Sequence, residues 1–209
     1  MNRAWWIYVL GVVATLLSFP YPPNFLALFG AEVVIVLMIW SGLWFGSRHG
    51  LGSEIPSLRR IAYSLLLGAA SGAVVLALLP LAGLQSRLVK EASIPIWKWL
   101  IIAFDSSILE EIVFRLFVVS FVVWFLTRFV RRDVSIRVAL IVSALLFGAA
   151  HLNRWLDAGP MVITAVMIVN GLIAIVLGII YVKWGLEAAI LGHFAGDVVV
   201  HIVGPYLFI

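Results

Sequence analysis

The sequence contains no cysteine and few charged residues. Without thiols the chain can form no disulfide bond, no cysteine zinc site and no thiol nucleophile. Charged residues make up 11% of the 209 residues, whereas an ordinary soluble domain carries roughly a quarter. Hydrophobic residues make up 64% of the chain, which leaves almost no room for a soluble domain. The composition therefore predicts a polytopic membrane protein.

Apolar runs of about 20 residues, the length needed to cross a bilayer, recur along the chain. They predict an all-α transmembrane helical bundle with seven or eight membrane helices in a single domain, residues 1–209. The fourth run is long enough to hold an interfacial helix followed by a shorter span that begins near residue 107. The predicted spans are 4–19, 25–45, 61–83, 99–127, 138–152, 161–182 and 186–207.

Lysine and arginine are distributed unevenly between alternate loops. With seven spans, nine of them fall in one set of loops and four in the other. The first set is Arg3, Arg48, Arg59, Arg60, Arg128, Arg131, Arg132, Arg137 and Lys183, and the second is Arg87, Lys90, Lys98 and Arg154. The positive-inside rule places the first set, and with it the N-terminus, in the cytoplasm. The net charge of +4 thus indicates membrane topology rather than nucleic-acid binding.

Charged residues inside the spans concentrate in the fourth one, in the stretch "EEIVFR". A charge at the bilayer centre costs about 3 kcal/mol of insertion free energy, so charged residues within a span are expected to pair or to have a function. Glu111 and Arg115 are four residues apart, share a helix face and can pair. Glu110 is rotated by about 100° and lacks that partner. A buried salt bridge between spans explains the pair, and the additional glutamate indicates a functional carboxylate.

Two later spans carry histidine. His151 ends the stretch "FGAAH", and His193 and Asp197 lie one turn apart in "HFAGD", with His201 a further turn along. Each histidine alone is more typical of a hydrogen-bonded interface. Together with a glutamate they predict one buried polar pocket, formed by three spans, that can activate a water molecule. Glu110, His151 and His193 also form a plausible zinc set, although His-Glu-x-x-His is absent.

Three more polar residues lie in the spans outside these motifs. We expect Asp105 and Asn170 to form interhelical hydrogen bonds. We expect Glu32 to snorkel or to pair helices rather than to line a cavity.

The three motifs occur in a defined order on hydrophobic segments. "EEIVFR" matches Glu-Glu-x-x-x-Arg, "FGAAH" matches Phe-x-x-x-His, and "HFAGD" matches His-x-x-x-Asn/Asp. In this respect the sequence resembles the CAAX-protease and bacteriocin-processing family, also called the Abi family, which includes the eukaryotic Ras-converting endopeptidase. The resemblance covers residues 99–207, the motif-bearing core, whereas residues 1–98 carry no recognised motif.

The resemblance implies a glutamate-dependent intramembrane endopeptidase. By position, Glu110 would be the general base that activates water, assisted by His151. Glu111 and Arg115 would be the supporting pair. His193 would lie beside the oxyanion.

Asp197 occupies a position where many family members have asparagine. An amide donates a hydrogen bond to an oxyanion, whereas an ionised carboxylate cannot. We therefore expect Asp197 to orient His193 and keep it charged. No cofactor is expected, and zinc is the less favoured alternative.

The expected partners are a peptide or lipid-modified protein substrate and membrane lipid, with no nucleic acid. The expected location is a bacterial plasma membrane. Two other functions stay open. One is a non-enzymatic scaffold or bacteriocin self-immunity protein of the same fold. The other is a proton-coupled transporter or channel, since intramembrane Glu, Asp, Arg and His also form proton relays.

Overall fold

A computed structural model describes residues 3–18, 24–52 and 55–209, and these residues form helices without any strand. The helices are α1 (Arg3–Ser18), α2 (Phe25–Ser47), α3 (Leu58–Leu78), α4 (Gln85–Glu91), α5 (Ile96–Glu110), α6 (Ser120–Leu126), α7 (Arg132–Ala150), α8 (Pro160–Trp184), α9 (Leu186–Asp197) and α10 (Gly204–Leu207). Helices satisfy their backbone hydrogen bonds internally, as a segment in hydrocarbon must. The predicted all-α membrane bundle is confirmed.

The predicted spans correspond to observed helices. Within the described residues, five helices are long and apolar enough to cross a membrane: Phe25–Ser47, Leu58–Leu81, Arg132–Asn153, Pro160–Trp184 and Leu186–Leu207. Helix α1 corresponds to the first span, whose last residue, 19, lies outside the described residues.

The fourth span is one continuous helix. A π-helical segment, Glu111–Val119, joins α5 directly to α6, so the helix runs unbroken from residue 96 to residue 126. The alternative of a separate interfacial helix before residue 107 is therefore wrong. The short helix α4 precedes this span instead, and the sequence analysis did not predict it.

Helix boundaries follow from capping residues. The side chain of Asn24 accepts hydrogen bonds from the backbone of Leu26 and Ala27 at the start of α2. Ser57 caps α3 in the same way. Between α8 and α9, Gly185 adopts a φ of 95°, which side-chain-bearing residues rarely reach, and this permits the reversal between them.

Two pairs of glycines bring α3 and α9 into close contact. Gly68 and Gly72 on α3 face Gly192 and Gly196 on α9, each pair at the small-xxx-small spacing of tightly packed membrane helices. A Cβ atom at Gly68 would overlap the Gly192 backbone, and one at Gly72 would lie 2.7 Å from the Gly196 carbonyl oxygen. This contact fixes the position of the residues between Gly192 and Gly196.

One end of the bundle gathers the loops that carry the first set of basic residues. Arg132 donates a hydrogen bond to the His49 carbonyl oxygen at 2.8 Å, joining α7 to the loop after α2. The ring of Tyr63 on α3 stacks on Trp184 of α8 with centroids 6.3 Å apart. We call this the basic end.

The opposite end gathers α4 and the ends of α5 and α9. The Nδ1 atom of His201 lies 2.8 Å from Glu91 Oε2, and the His201 ring stacks on Trp99 with centroids 4.8 Å apart. The Trp99 indole donates a hydrogen bond to the Glu91 carbonyl oxygen at 3.2 Å. The loop from α7 to α8 lies at this end as well, because alternate helix ends share a side of the bundle.

Candidate active site

Glu111 and Arg115 form a completely buried ion pair on the π-helical segment. Arg115 Nη1 lies 3.2 Å from Glu111 Oε1. Arg115 Nη2 donates a hydrogen bond to the Ala174 carbonyl oxygen at 3.4 Å, and its guanidinium carbon lies 4.7 Å from the Phe147 ring centroid. As the spacing predicts, Glu111 rather than Glu110 is the partner of the arginine. A buried pair of this kind is stabilised only by such additional contacts.

His193 is held by Glu111. Its Nδ1 atom lies 2.9 Å from Glu111 Oε1, and because a carboxylate oxygen accepts, Nδ1–H is the donor. The Nε2 atom then lies 3.7 Å from Glu110 Oε2 and 3.6 Å from Asp197 Oδ1. The short contact that orients the imidazole therefore belongs to Glu111, whereas the sequence analysis expected it from Asp197.

His151 has the same orientation relative to Glu110. Its Nδ1 atom lies 2.8 Å from the Phe147 carbonyl oxygen, which can only accept, so Nδ1 carries a proton. Its Nε2 atom lies 3.9 Å from Glu110 Oε2. The Phe-x-x-x-His spacing explains this arrangement, since the acceptor is one helical turn before the histidine. Both imidazoles thus present Nε2 to the same oxygen of Glu110.

The four predicted catalytic residues line one cavity of about 540 Å³. Glu110 from α5, His151 after α7, and His193 and Asp197 from α9 all line it. The side chains of Glu110 and His151 are 27% and 34% exposed, whereas His193 is 6% exposed. The structure therefore brings side chains from three helical segments, which are distant in sequence, to one cavity where a ligand can contact them.

Ser106 contacts the site and was not predicted as a member of it. Its hydroxyl donates a hydrogen bond to Asp197 Oδ2 at 3.0 Å and lines the cavity. In the sequence, Ser106 lies one helical turn before Glu110, on the same face of α5, and this spacing could have indicated its place in the site. No base is adjacent to Ser106 in the sequence, so its role in the site follows from the structure.

Asp105 and Asn170 form hydrogen bonds, whereas both carboxylate oxygens of Glu32 are buried without a hydrogen-bond partner among the described residues. Asp105 accepts a hydrogen bond from Ser18 of α1 at 2.5 Å, the interhelical contact that was expected. Asn170 donates to Val166 of its own helix at 2.8 Å and lines the cavity, and it does not form the expected interhelical hydrogen bond with any described residue. Glu32 is not among the residues that line the cavity.

The zinc alternative requires ligands grouped around one point. Among the described residues, no group of three or more His, Cys, Asp and Glu residues is arranged to hold a metal ion. Zinc sites place nitrogen and oxygen ligands about 2.0–2.2 Å from the metal. The Nδ1 contacts of His151 and His193 leave both Nε2 atoms turned toward Glu110.

Comparison with known proteins identifies the motif-bearing segment. A family model described as type II CAAX prenyl endopeptidase Rce1-like matches residues 92–199, just over half of the chain. No curated protein and no solved structure matches the chain. The matched segment includes the four predicted catalytic residues and the supporting pair, whereas Glu91 and His201 lie just outside it.

Proposed function

This chain belongs to the Rce1-like family of type II CAAX prenyl endopeptidases, and on that premise we propose that it is a glutamate-dependent intramembrane endopeptidase. The family and the apolar helices make the chain an integral-membrane peptidase. The glutamate mechanism is proposed from one observation: two imidazole Nε2 atoms converge on a single oxygen of Glu110.

Glu110 is the proposed general base. Its Oε2 atom is buried and has no hydrogen-bond partner among the described residues, so it is free to accept a proton. The distances of 3.7 and 3.9 Å to the two Nε2 atoms allow one water molecule to lie within hydrogen-bond distance of Oε2 and an imidazole. Glu110 takes a proton from this water as it attacks the peptide carbonyl, and the carboxylic acid then donates that proton to the leaving amine.

The two histidines have different proposed roles. His193 is held between Glu111 and Asp197, and an imidazolium at this position stabilises the oxyanion through Nε2–H. His151 contacts only a neutral carbonyl through Nδ1, so its Nε2 atom accepts a hydrogen bond from the attacking water. Asp197 keeps His193 charged through the 3.6 Å contact, and Ser106 holds Asp197 in place.

The cavity suits a hydrophobic polypeptide. Apolar side chains from α3, α4 and α8, including Val75, Leu88 and Val169, line the same cavity as the polar residues. An extended peptide with apolar side chains can therefore lie beside the carboxylate without burying unpaired charge. Prenylated protein tails and other hydrophobic peptides are the proposed substrates.

The first test is cleavage by a Glu110→Gln variant. Purified protein would be assayed against prenylated and unmodified hydrophobic peptides, with products identified by mass spectrometry. We expect Glu110→Gln to lose about 10²–10⁴-fold in rate, because the amide cannot accept the proton. Glu32→Gln is the matched control, since Glu32 is an intramembrane glutamate outside the cavity, and it should cleave normally. Wild-type rates for Glu110→Gln would refute the mechanism.

A further inference from the structure

Three arginine side chains from separate segments lie near His49 at the basic end. Arg48 follows α2, Arg128 lies just after α6, and Arg132 begins α7. Arg132 Nη2 donates a hydrogen bond to the His49 carbonyl oxygen at 2.8 Å, and Thr127 Oγ1 lies 3.4 Å from His49 Nε2. Burial and the charges of all three guanidinium groups lower the pKa of His49, so positive charge is concentrated at this loop. We call Arg48, Arg128 and Arg132 the arginine cluster.

The arginine cluster has no counterion in the described part of the chain. Its three side chains are exposed, and none lies within ion-pair distance of a described carboxylate. Two neighbouring arginines differ in this respect, because Arg131 Nε lies 3.3 Å from Asp133 Oδ1 and Arg137 Nη2 lies 3.9 Å from Asp133 Oδ2. Asp133 therefore compensates charge outside the cluster, and the cluster itself is available to an anionic ligand.

Tryptophan rings hold two of these guanidinium groups in place. The Arg48 guanidinium carbon lies 3.5 Å from the Trp44 ring centroid, and Arg48 Nη1 donates a hydrogen bond to the Trp44 carbonyl oxygen at 3.1 Å. Arg128 makes the same two contacts with Trp124, at 3.6 and 3.1 Å. The two indoles touch edge to face, with centroids 5.5 Å apart. A guanidinium carries several N–H donors, so each group keeps donors for a ligand, and its fixed position lowers the entropy cost of binding.

An aromatic surface continues from the indoles along α2 and α6 into the membrane span. The Phe45 ring centroid lies 4.7 Å from that of Trp124 and 5.3 Å from that of Phe121, and Phe125 lies 6.2 Å from Phe121. Phe121 and Phe125 are exposed, which on a membrane span means contact with lipid. A cationic cluster beside an apolar surface matches the two parts of a phospholipid, whereas a free phosphate ion would use only the cluster.

We propose that the arginine cluster binds the phosphate of an anionic phospholipid, with an acyl chain lying against Phe121 and Phe125. Guanidinium groups pair with phosphate oxygens through parallel N–H···O hydrogen bonds. Because the cluster has no described counterion, it disfavours a headgroup that carries its own cation, so phosphatidylglycerol binds in preference to phosphatidylcholine. The bound lipid joins the ends of α2, α6 and α7. This site lies outside the cavity and does not depend on the proposed peptidase activity.

Binding of phosphatidylglycerol to the purified protein in neutral detergent, measured by native mass spectrometry, tests the site. The double variant Arg48→Gln/Arg128→Gln should bind it about 25-fold more weakly than the wild type, since each arginine near an anionic lipid contributes about fivefold. Arg131→Gln/Arg137→Gln is the matched control, because it removes the same charge at the same end but from arginines that contact Asp133. We expect this control to bind like the wild type. Equal weakening in the two double variants would overturn the proposal.

A second measurement needs no variant. A ligand that binds only the folded protein raises its Tm, so the wild type would be heated in detergent with equal concentrations of phosphatidylglycerol, phosphatidylcholine or inorganic phosphate. We expect a rise with phosphatidylglycerol alone. No rise with phosphatidylglycerol, or an equal rise with phosphatidylcholine, would overturn the proposal. An equal rise with inorganic phosphate would overturn the assignment to a lipid. Neither measurement involves cleavage, so both are independent of the Glu110→Gln assay.

Discussion

Two adjacent glutamates near the middle of the helix that runs from residue 96 to residue 126 have opposite environments. Glu111 is within 3.2 Å of Arg115 and 2.9 Å of His193, whereas Glu110 Oε2 has no hydrogen-bond partner in the described part of the chain and lies 3.7 and 3.9 Å from the two Nε2 atoms. The first carboxylate is neutralised by a fixed cation. The second is available to a substrate water, so replacement of each should have a different effect.

We predict that Glu111→Gln destabilises the protein and that Glu110→Gln does not. Removing the charge of Glu111 leaves Arg115 buried without a counterion, which costs about 3–5 kcal/mol. Thermal unfolding in detergent should show a lower Tm for Glu111→Gln alone. Equal Tm values for the two variants would contradict the assignment of Glu111 as the structural partner.

The proposed mechanism also predicts independence from metal. Water activation by Glu110 needs no Lewis acid, so activity should survive dialysis against 1,10-phenanthroline. Elemental analysis of the active protein should find well under one zinc per chain. Loss of activity on chelation, with recovery on adding zinc, would instead support a site formed by Glu110, His151 and His193.

Among the helices, the two π-helical segments coincide with the site. One begins at Glu111 directly after Glu110, and the other begins at Val198 directly after Asp197. π-Helical turns occur frequently at functional sites because they displace side chains relative to a regular helix. Glu110 and Asp197, the residues just before the two segments, line the same cavity.

The glycine contact between α3 and α9 should tolerate substitution as poorly as the catalytic residues do. We predict that Gly68→Ala destabilises the protein by about 1–3 kcal/mol, because its Cβ overlaps the Gly192 backbone and forces α9 away. Activity should fall too, since α9 carries His193. Tm and cleavage rate would be measured against Gly30→Ala, where a Cβ meets nothing within 4 Å. Comparable effects of both substitutions would contradict this packing argument.

Considered as a whole, the molecule concentrates positive charge at its basic end, and this charge affects a histidine outside the membrane-spanning helices. Burial and three nearby guanidinium groups lower the pKa of His49 below its usual value; the groups belong to Arg132, Arg128 and Arg48. The unfolded chain therefore binds this proton more readily than the folded protein as the pH falls.

We predict that His49 reduces stability under acidic conditions. Its unfolded pKa is about 6.5, so it has no effect well above that pH and destabilises the fold as the pH drops below it. His49→Gln should therefore show a smaller fall in Tm between about pH 7 and pH 5 than the wild type. If Tm fell equally with pH in the two proteins, the lowered pKa of His49 would be contradicted.

Much of this architecture could be predicted from sequence because hydrophobic length specifies membrane helices directly. The pairing of Glu111 with Arg115 could also be predicted, since it depends only on the four-residue spacing along one helix. The fourth helix agrees with the predicted span 99–127, and only the structure excluded the alternative of an interfacial helix before residue 107. Helix α4 was missed because seven residues give too short a pattern.

By itself, the sequence determined that the chain is a helical membrane bundle and which ionisable residues enter it, because both follow from local composition and spacing. Only the tertiary structure decided that His193 is held by Glu111 rather than by Asp197, which lies on its own helix. It also decided that Glu110, His151 and His193 line one cavity. Both features depend on how closely α3, α5 and α9 pack, and contacts between residues 82 positions apart leave no trace in local spacing.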